Sequence, residues 1–112
     1  MDLQFDQPIA EREIERSDGG PDVIVKLGPP RPMNPDLPDA GWYCPYRIES
    51  LDAEPLVSFG AGIDGIQAII LSLAKIGDYL NSRTDAGLNF LDMDYCGFLS
   101  AKLPPVAPVA GR

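Results

Sequence analysis

Between Asp64 and Ser82 the sequence carries a pattern that a helix can use and a strand cannot. Ile66, Ile69, Ile70, Leu73, Ile76 and Leu80 recur at the i, i+3, i+4, i+7 spacing of a core-facing helix. Its start is written just before, in Ile63-Asp64-Gly65-Ile66-Gln67. Asp64 can accept from the Gln67 N–H while Gln67 reaches back, a D-x-x-Q form of the capping box. Ile63 and Ala68 take the two positions of a hydrophobic staple. Ala74 and Gly77 flank the stripe and permit close approach, Lys75, Asp78 and Asn81 fall on the wet face, and Leu71 points away toward a second contact surface. The pattern predicts a helix over 64–82, with Arg83-Thr84-Asp85-Ala86-Gly87 as its exit. One such face must be buried against something, and the rest of the chain reads as the sheet that does it.

Ala10, Arg12, Ile14 and Arg16 alternate with Glu11, Glu13 and Glu15, as cations and apolar groups opposite anions do on an edge strand. Ser17-Asp18-Gly19-Gly20-Pro21-Asp22 is a turn cluster, and Val23-Ile24-Val25-Lys26-Leu27 is a β-branched run. Together they predict a hairpin with strands near 9–17 and 22–28. Trp42 to Leu51 predicts a third strand, with Trp42, Cys44, Tyr46 and Ile48 on its core face and Pro45 marking an edge or a bulge. Leu56 to Phe59 predicts a short fourth, after which Gly60-Ala61-Gly62 leads into the helix. Leu88–Leu91 and Tyr95–Leu99 are short apolar pieces suited to covering the sheet edge or the helix end.

The fold class expected is therefore α+β: a three- to four-stranded antiparallel sheet packed on one long helix, 64–82. Its core would hold Ile14, Val23, Val25, Trp42, Cys44, Tyr46, Ile48 and the helix stripe. Five of the chain's twelve prolines fall within 29–38. Proline fixes φ and lacks the N–H, so residues 29–41 read as a proline-rich loop with neither helix nor strand. Residues 1–8 read as a loose start, 9–99 as a single domain, and 100–112, rich in proline and small residues, as a flexible tail.

Composition excludes several functions. The chain has 112 residues, enough for one domain, and no histidine. Ser-His-Asp and Cys-His catalysis and His-ligated metals are therefore out. A net charge of -8 argues against nucleic acid and anionic lipid, and favours a basic protein partner. No basic, apolar leader opens the sequence, and the longest uncharged helical stretch, 65–74, is half of a membrane span, so a cytoplasmic protein off the membrane is expected. Cys44 and Cys96 form no C-x-x-C motif and read as buried thiols. Asp36 with Asp39, Glu49 with Asp52, and Asp92 with Asp94 pair carboxylates at turns, where solvation explains them. Gly60, Gly62 and Gly65 satisfy G-x-G-x-x-G before a helix, but no βαβ unit follows. No catalytic residue, cofactor or metal is expected.

Trp42-x-Cys44-x-Tyr46-x-Ile48, followed by Gly62-x-Asp64-x-x-Gln67-Ala68 on a hairpin-then-helix plan, resembles a family of small uncharacterised bacterial proteins known only as a domain of unknown function. The resemblance spans about residues 9–99 and implies a bacterial cytoplasmic α+β domain, with no catalytic residues to carry over. The residues themselves point to a non-enzymatic interaction protein, of which an immunity-type inhibitor of a basic toxin is one example. Its surface would use Pro32, Asp36 and Asp39 from the loop and Gly62, Asp64 and Gly65 at the helix start. The alternative is a small-ligand or anion-binding domain using the Gly60–Gly65 turn. A homo-oligomer joined through strand edges is a third arrangement.

Overall fold

A computed structural model describes residues 2–93 and 95–99. The tail expected at 100–112 lies outside the described residues, as does Asp94 of the last carboxylate pair. The strands are β1 (Ala10–Arg16), β2 (Val23–Leu27), β3 (Arg31–Pro32), β4 (Trp42–Glu49), β5 (Leu56–Gly62) and β6 (Leu88–Asn89), with one helix, α1 (Gly65–Ser82), between β5 and β6. The fold is mixed α and β with an antiparallel sheet. Six strands among the described residues correct the expected three to four. Those missed, β3 and β6, are two residues long, too short to show an alternation.

β5 pairs with β4 along its whole length, from Trp42 opposite Gly62 to Ile48 opposite Leu56. β2 and β3 therefore share the other edge of β4, at Tyr46–Glu49 and at Trp42–Tyr43. Between them Gly28 N donates to Pro45 O (2.8 Å). Leu27 faces Tyr46 and Arg31 faces Tyr43, so the β2–β3 side carries one residue more than β4 does. Pro29 and Pro30 lie in that bulge, where a missing N–H costs no ladder bond. The loop predicted over 29–41 thus returns to the sheet at Arg31–Pro32 and makes a 3-10 turn at Pro38–Ala40. β1 completes the sheet beyond β2, and β6 pairs with its end at Glu15 and Arg16.

The helix packs on β4 and β5. Gly60 and Gly62 let it lie directly on the strand. A Cβ at Gly60 would collide with the backbone of Ser72, and one at Gly62 would lie 2.7 Å from Ala68 N. Both glycines are strand residues paired with Cys44 and Trp42, so β5 runs three residues past the predicted end and the expected turn narrows to 63–64. Ser72, fully buried, accepts from Gly60 N (2.8 Å) and donates to Cys44 O (2.6 Å), joining β4 to β5 from above.

Close approach through small residues turns the helix. Ala68, Ser72, Ile76 and Leu80 are buried and Ile69 partly so. At 100° per residue this face is rotated roughly 60° from the predicted stripe. Ile66, Ile70 and Leu73, expected in the core, are 71, 56 and 40 % exposed. Ile63 is exposed too, so it makes no staple with Ala68. The expected Ile14, Val23, Val25, Cys44, Tyr46 and Ile48 are buried and Trp42 packs against them; Leu27, Leu51, Ala86, Leu88 and Cys96 join them. On the opposite face of the sheet Tyr43 and Pro45 are buried as well. Phe5, itself buried, lies close to Gly28 and Pro45, the Arg47 guanidinium sits 5.1 Å from its ring, and Tyr43 Oη donates to Asp2 O (2.9 Å).

Candidate functional site

The rotation of α1 opens a groove along its flank. Ile70, Leu73, Ala74 and Ile76 form one wall and Val25 and Leu27 the floor. Residues 95–99 form the other side, and the cavity holds about 570 Å³. That volume is within the range of ligand and peptide pockets, and its lining is chiefly apolar. Ile66 extends the same apolar face toward the helix start, where Ile63 is also exposed.

The wall formed by 95–99 is tied down from both layers. From β1, Arg12 Nη1 donates to Gly97 O, and its guanidinium lies 4.4 Å from the Phe90 ring and 5.2 Å from that of Phe98. From the helix, Asn81 Nδ2 donates to Gly77 O (2.7 Å) and Phe98 O (3.0 Å). The Leu99 carbonyl rests against Gly77, at a distance that no Cβ would allow. Sequence reading placed 95–99 near the sheet edge or helix end but had no signal that Arg12 and Asn81 would hold it there.

On the other side of the sheet, Glu13, Glu15, Asp22 and Asp92 line a second cleft of about 290 Å³. It gathers part of the acidic excess on one surface. A charged cluster lies at the C-terminal end of α1. Arg83 donates to Asp85 (3.0 Å) and Asp52, and Tyr79 Oη donates to Asp52. The Tyr79 hydroxyl, helped by Arg83, holds the Asp52 carboxyl below the usual carboxylate range, and the Asp52 bond in turn pushes the Tyr79 phenol up. These contacts are exposed and stitch the loop after β4 to the helix end. Glu49, although burial raises it, is held down by Lys26 (3.2 Å) and Arg47 (2.6 Å).

The residues expected at a partner surface divide into two sets. Pro32 faces Trp42, which faces Gly62 across the sheet, and Gly65 lies beside Trp42 and Pro30. Asp64 caps the helix by accepting from Gln67 N (2.8 Å). Asp36 and Asp39 stay on an exposed loop closed by Met33 N donating to Gly41 O (2.9 Å), with Asp36 N bonded to Asn34 Oδ1. At the helix start the Gln67 Oε1 accepts from Ile63 N (2.7 Å), so the N–H groups of 63 and 67 are both engaged by side chains. Both cysteines are free and buried, and burial pushes the Cys44 thiol up, which keeps it a protonated donor to Gly28 O (3.3 Å). Among the described residues, no group of three or more Cys, Asp and Glu is placed to hold a metal ion, and no helix is long and apolar enough to cross a membrane.

Residues 10–99 match a family described as a domain of unknown function, DUF6968. The chain belongs to this family. The matched region runs from β1 through the 95–99 wall, so the helix, the sheet and the groove between them all lie within the family domain. No curated protein and no solved structure matches the chain.

Proposed function

We propose that this DUF6968 domain is a non-enzymatic interaction module that docks a partner polypeptide on the open flank of α1. One observation carries the reading: Ile66, Ile70 and Leu73 are exposed in a row on a helix that packs on the sheet through a different face, Ala68, Ser72, Ile76 and Leu80. Contiguous exposed apolar surface of this kind is uncommon on monomeric proteins and marks interaction sites. The adjoining groove supplies depth, and its anchored wall supplies a fixed shape. The net charge of -8 and the acidic cleft on the other face favour a partner whose apolar strip is flanked by lysine or arginine. Docking of this kind needs no metal, cofactor or nucleophile.

The test is capture by the full chain and by an Ile66→Gln/Ile70→Gln variant, compared at low and high salt. The reading expects a basic protein that is recovered by the unaltered chain, is lost with the variant and is weakened by salt. Identical recovery by both chains would refute it.

A further inference from the structure

We propose that the outer edge of β1 takes up a partner segment as an added strand, one with lysine or arginine at every second residue. The inference goes beyond the docking face of α1 and uses none of its residues.

The edge is left open by the way β6 ends. Backbone N–H and C=O groups alternate in direction along a strand. Ser17 N donates to Gly87 O (3.0 Å) and Glu15 stands opposite Asn89, so Glu15, Glu13 and Glu11 turn their backbone groups to the β6 side. β6 covers only the first of them, because it stops at Asn89. Phe90 and Met93 bond each other across the Leu91-Asp92 turn, which takes the chain off the line of β6. Residues 95–99 come back to β1 through the Arg12 side chain, on the face of the strand that also carries Ile14. Among the described residues, nothing bonds the outward N–H and C=O groups of Glu11 and Glu13. Such a row is a template for a further strand.

The side chains along this edge choose the strand. Glu11, Glu13 and Glu15 share the other face of β1 and are exposed. Among the described residues none of the three is in an ion pair, and Lys26, opposite Glu11 on β2, lies 3.2 Å from Glu49 instead. Glu13 and Glu15 also line the acidic cleft with Asp22 and Asp92, so the same sign of charge continues past the edge. A second copy fits badly. The strands of this sheet pair antiparallel, and two β1 edges paired in that way would set glutamates against glutamates. A strand with a cation at alternate positions sets each cation on the glutamate face instead. Main-chain bonds to Glu11 and Glu13 would hold it, and the carboxylates would select it.

The experiment titrates the full chain with a synthetic peptide, Lys-Thr-Lys-Thr-Lys-Thr-Lys, and follows backbone amides by NMR and hydrogen exchange. The Glu11 and Glu13 amides should exchange at least about tenfold more slowly with the peptide bound than without it. Two further peptides carry N-methyl groups, one at its lysines and one at its threonines. Only one edge of the peptide faces β1, so one of these should lose binding and the other keep it. Glu11→Lys/Glu13→Lys should weaken binding of the unmethylated peptide by about tenfold or more, while Ile66→Gln/Ile70→Gln should leave it unchanged. Unprotected Glu11 and Glu13 amides at about 1 mM peptide overturn the proposal. Equal binding by the two methylated peptides overturns it as well, since charge alone would then hold the peptide. Loss of binding with Ile66→Gln/Ile70→Gln would seat the peptide on α1 and also overturn it. Protection of Glu11 and Glu13 already present in the free chain does the same, and assigns the edge to a second copy if it grows with protein concentration.

Discussion

Replacing Ser72 with alanine removes one oxygen from the most buried point of contact between helix and sheet. In the folded protein that oxygen accepts from Gly60 N and donates to Cys44 O, and Ser72 has no solvent exposure. The substitution leaves a strand N–H and a strand C=O without the hydroxyl, in a place that water does not reach. Each buried polar group left unsatisfied costs about 1–3 kcal/mol. Gly60 stands opposite Cys44 in the β4–β5 register, so the strands can recover part of this by moving together. Alanine keeps the Cβ, so the cavity formed is smaller than a methyl group and adds little. The net loss expected is about 2–4 kcal/mol, a large share of the roughly 5–15 kcal/mol that holds a domain of this size together. Urea unfolding followed by the fluorescence of Trp42, the chain's one tryptophan, measures it directly. The midpoint should fall with the slope unchanged. Ser82→Ala is the control. Its hydroxyl also bonds a carbonyl, that of Tyr79 (2.6 Å), but on the exposed helix end, and it should cost less than about 0.5 kcal/mol. A Ser72→Ala loss no larger than that of Ser82→Ala would refute the argument that the serine bridge joins helix to sheet.

Two further predictions concern turns and acid. Leu91 and Asp92 both adopt left-handed φ, 54° and 61°, between Phe90 and Met93, which bond each other across a two-residue turn. Glycine adopts this region freely and Asn and Asp tolerate it, whereas leucine is strained there, so Leu91→Asn with Asp92→Gly should raise the urea midpoint, by about 1 kcal/mol in stability; an unchanged midpoint would show that the turn holds no strain. The Asp52 carboxyl is held down by Tyr79 first and Arg83 second. Its folded pKa is below its unfolded one, so its stabilising contribution is present above the ordinary carboxylate value near 4 and is lost as pH falls through the lower folded value. Asp52→Asn should flatten the stability profile below about pH 4 relative to the unaltered chain; parallel profiles would contradict the assignment.

The four long strands and both ends of the helix were legible because each carries its own local signal. Asp64 and Gln67 wrote the helix start, and the Ser17–Asp22 cluster wrote the first turn. What was not legible was decided by contact between distant segments. The helix stripe predicted Ile66, Ile70 and Leu73 inside because periodicity reports where apolar residues are, not which of them meets the sheet. Gly60 and Gly62 on the strand and Ala68 and Ser72 on the helix decide that, by allowing an approach only small residues permit. A serine within an apolar helix, four residues from an alanine and preceded by Gly-x-Gly in a strand, was the available hint. Gly60 and Gly62 thereby give the helix its packing surface on β5. Of the residues expected at a partner surface, Pro32, Gly62 and Gly65 gather around Trp42, because strands distant in sequence pair there, while Asp36 and Asp39 remain on their loop.

The account stands or falls on whether the apolar flank of α1 serves something other than the folding of this domain. The most direct measurement is the unfolding free energy of Ile66→Gln/Ile70→Gln set beside that of Ile76→Ala, six residues beyond Ile70 on the same helix but fully buried. The account predicts a loss of no more than about 1 kcal/mol for the exposed pair and about 2–5 kcal/mol for the buried isoleucine. A loss for the pair as large as that for Ile76 would place the flank in the core and contradict it.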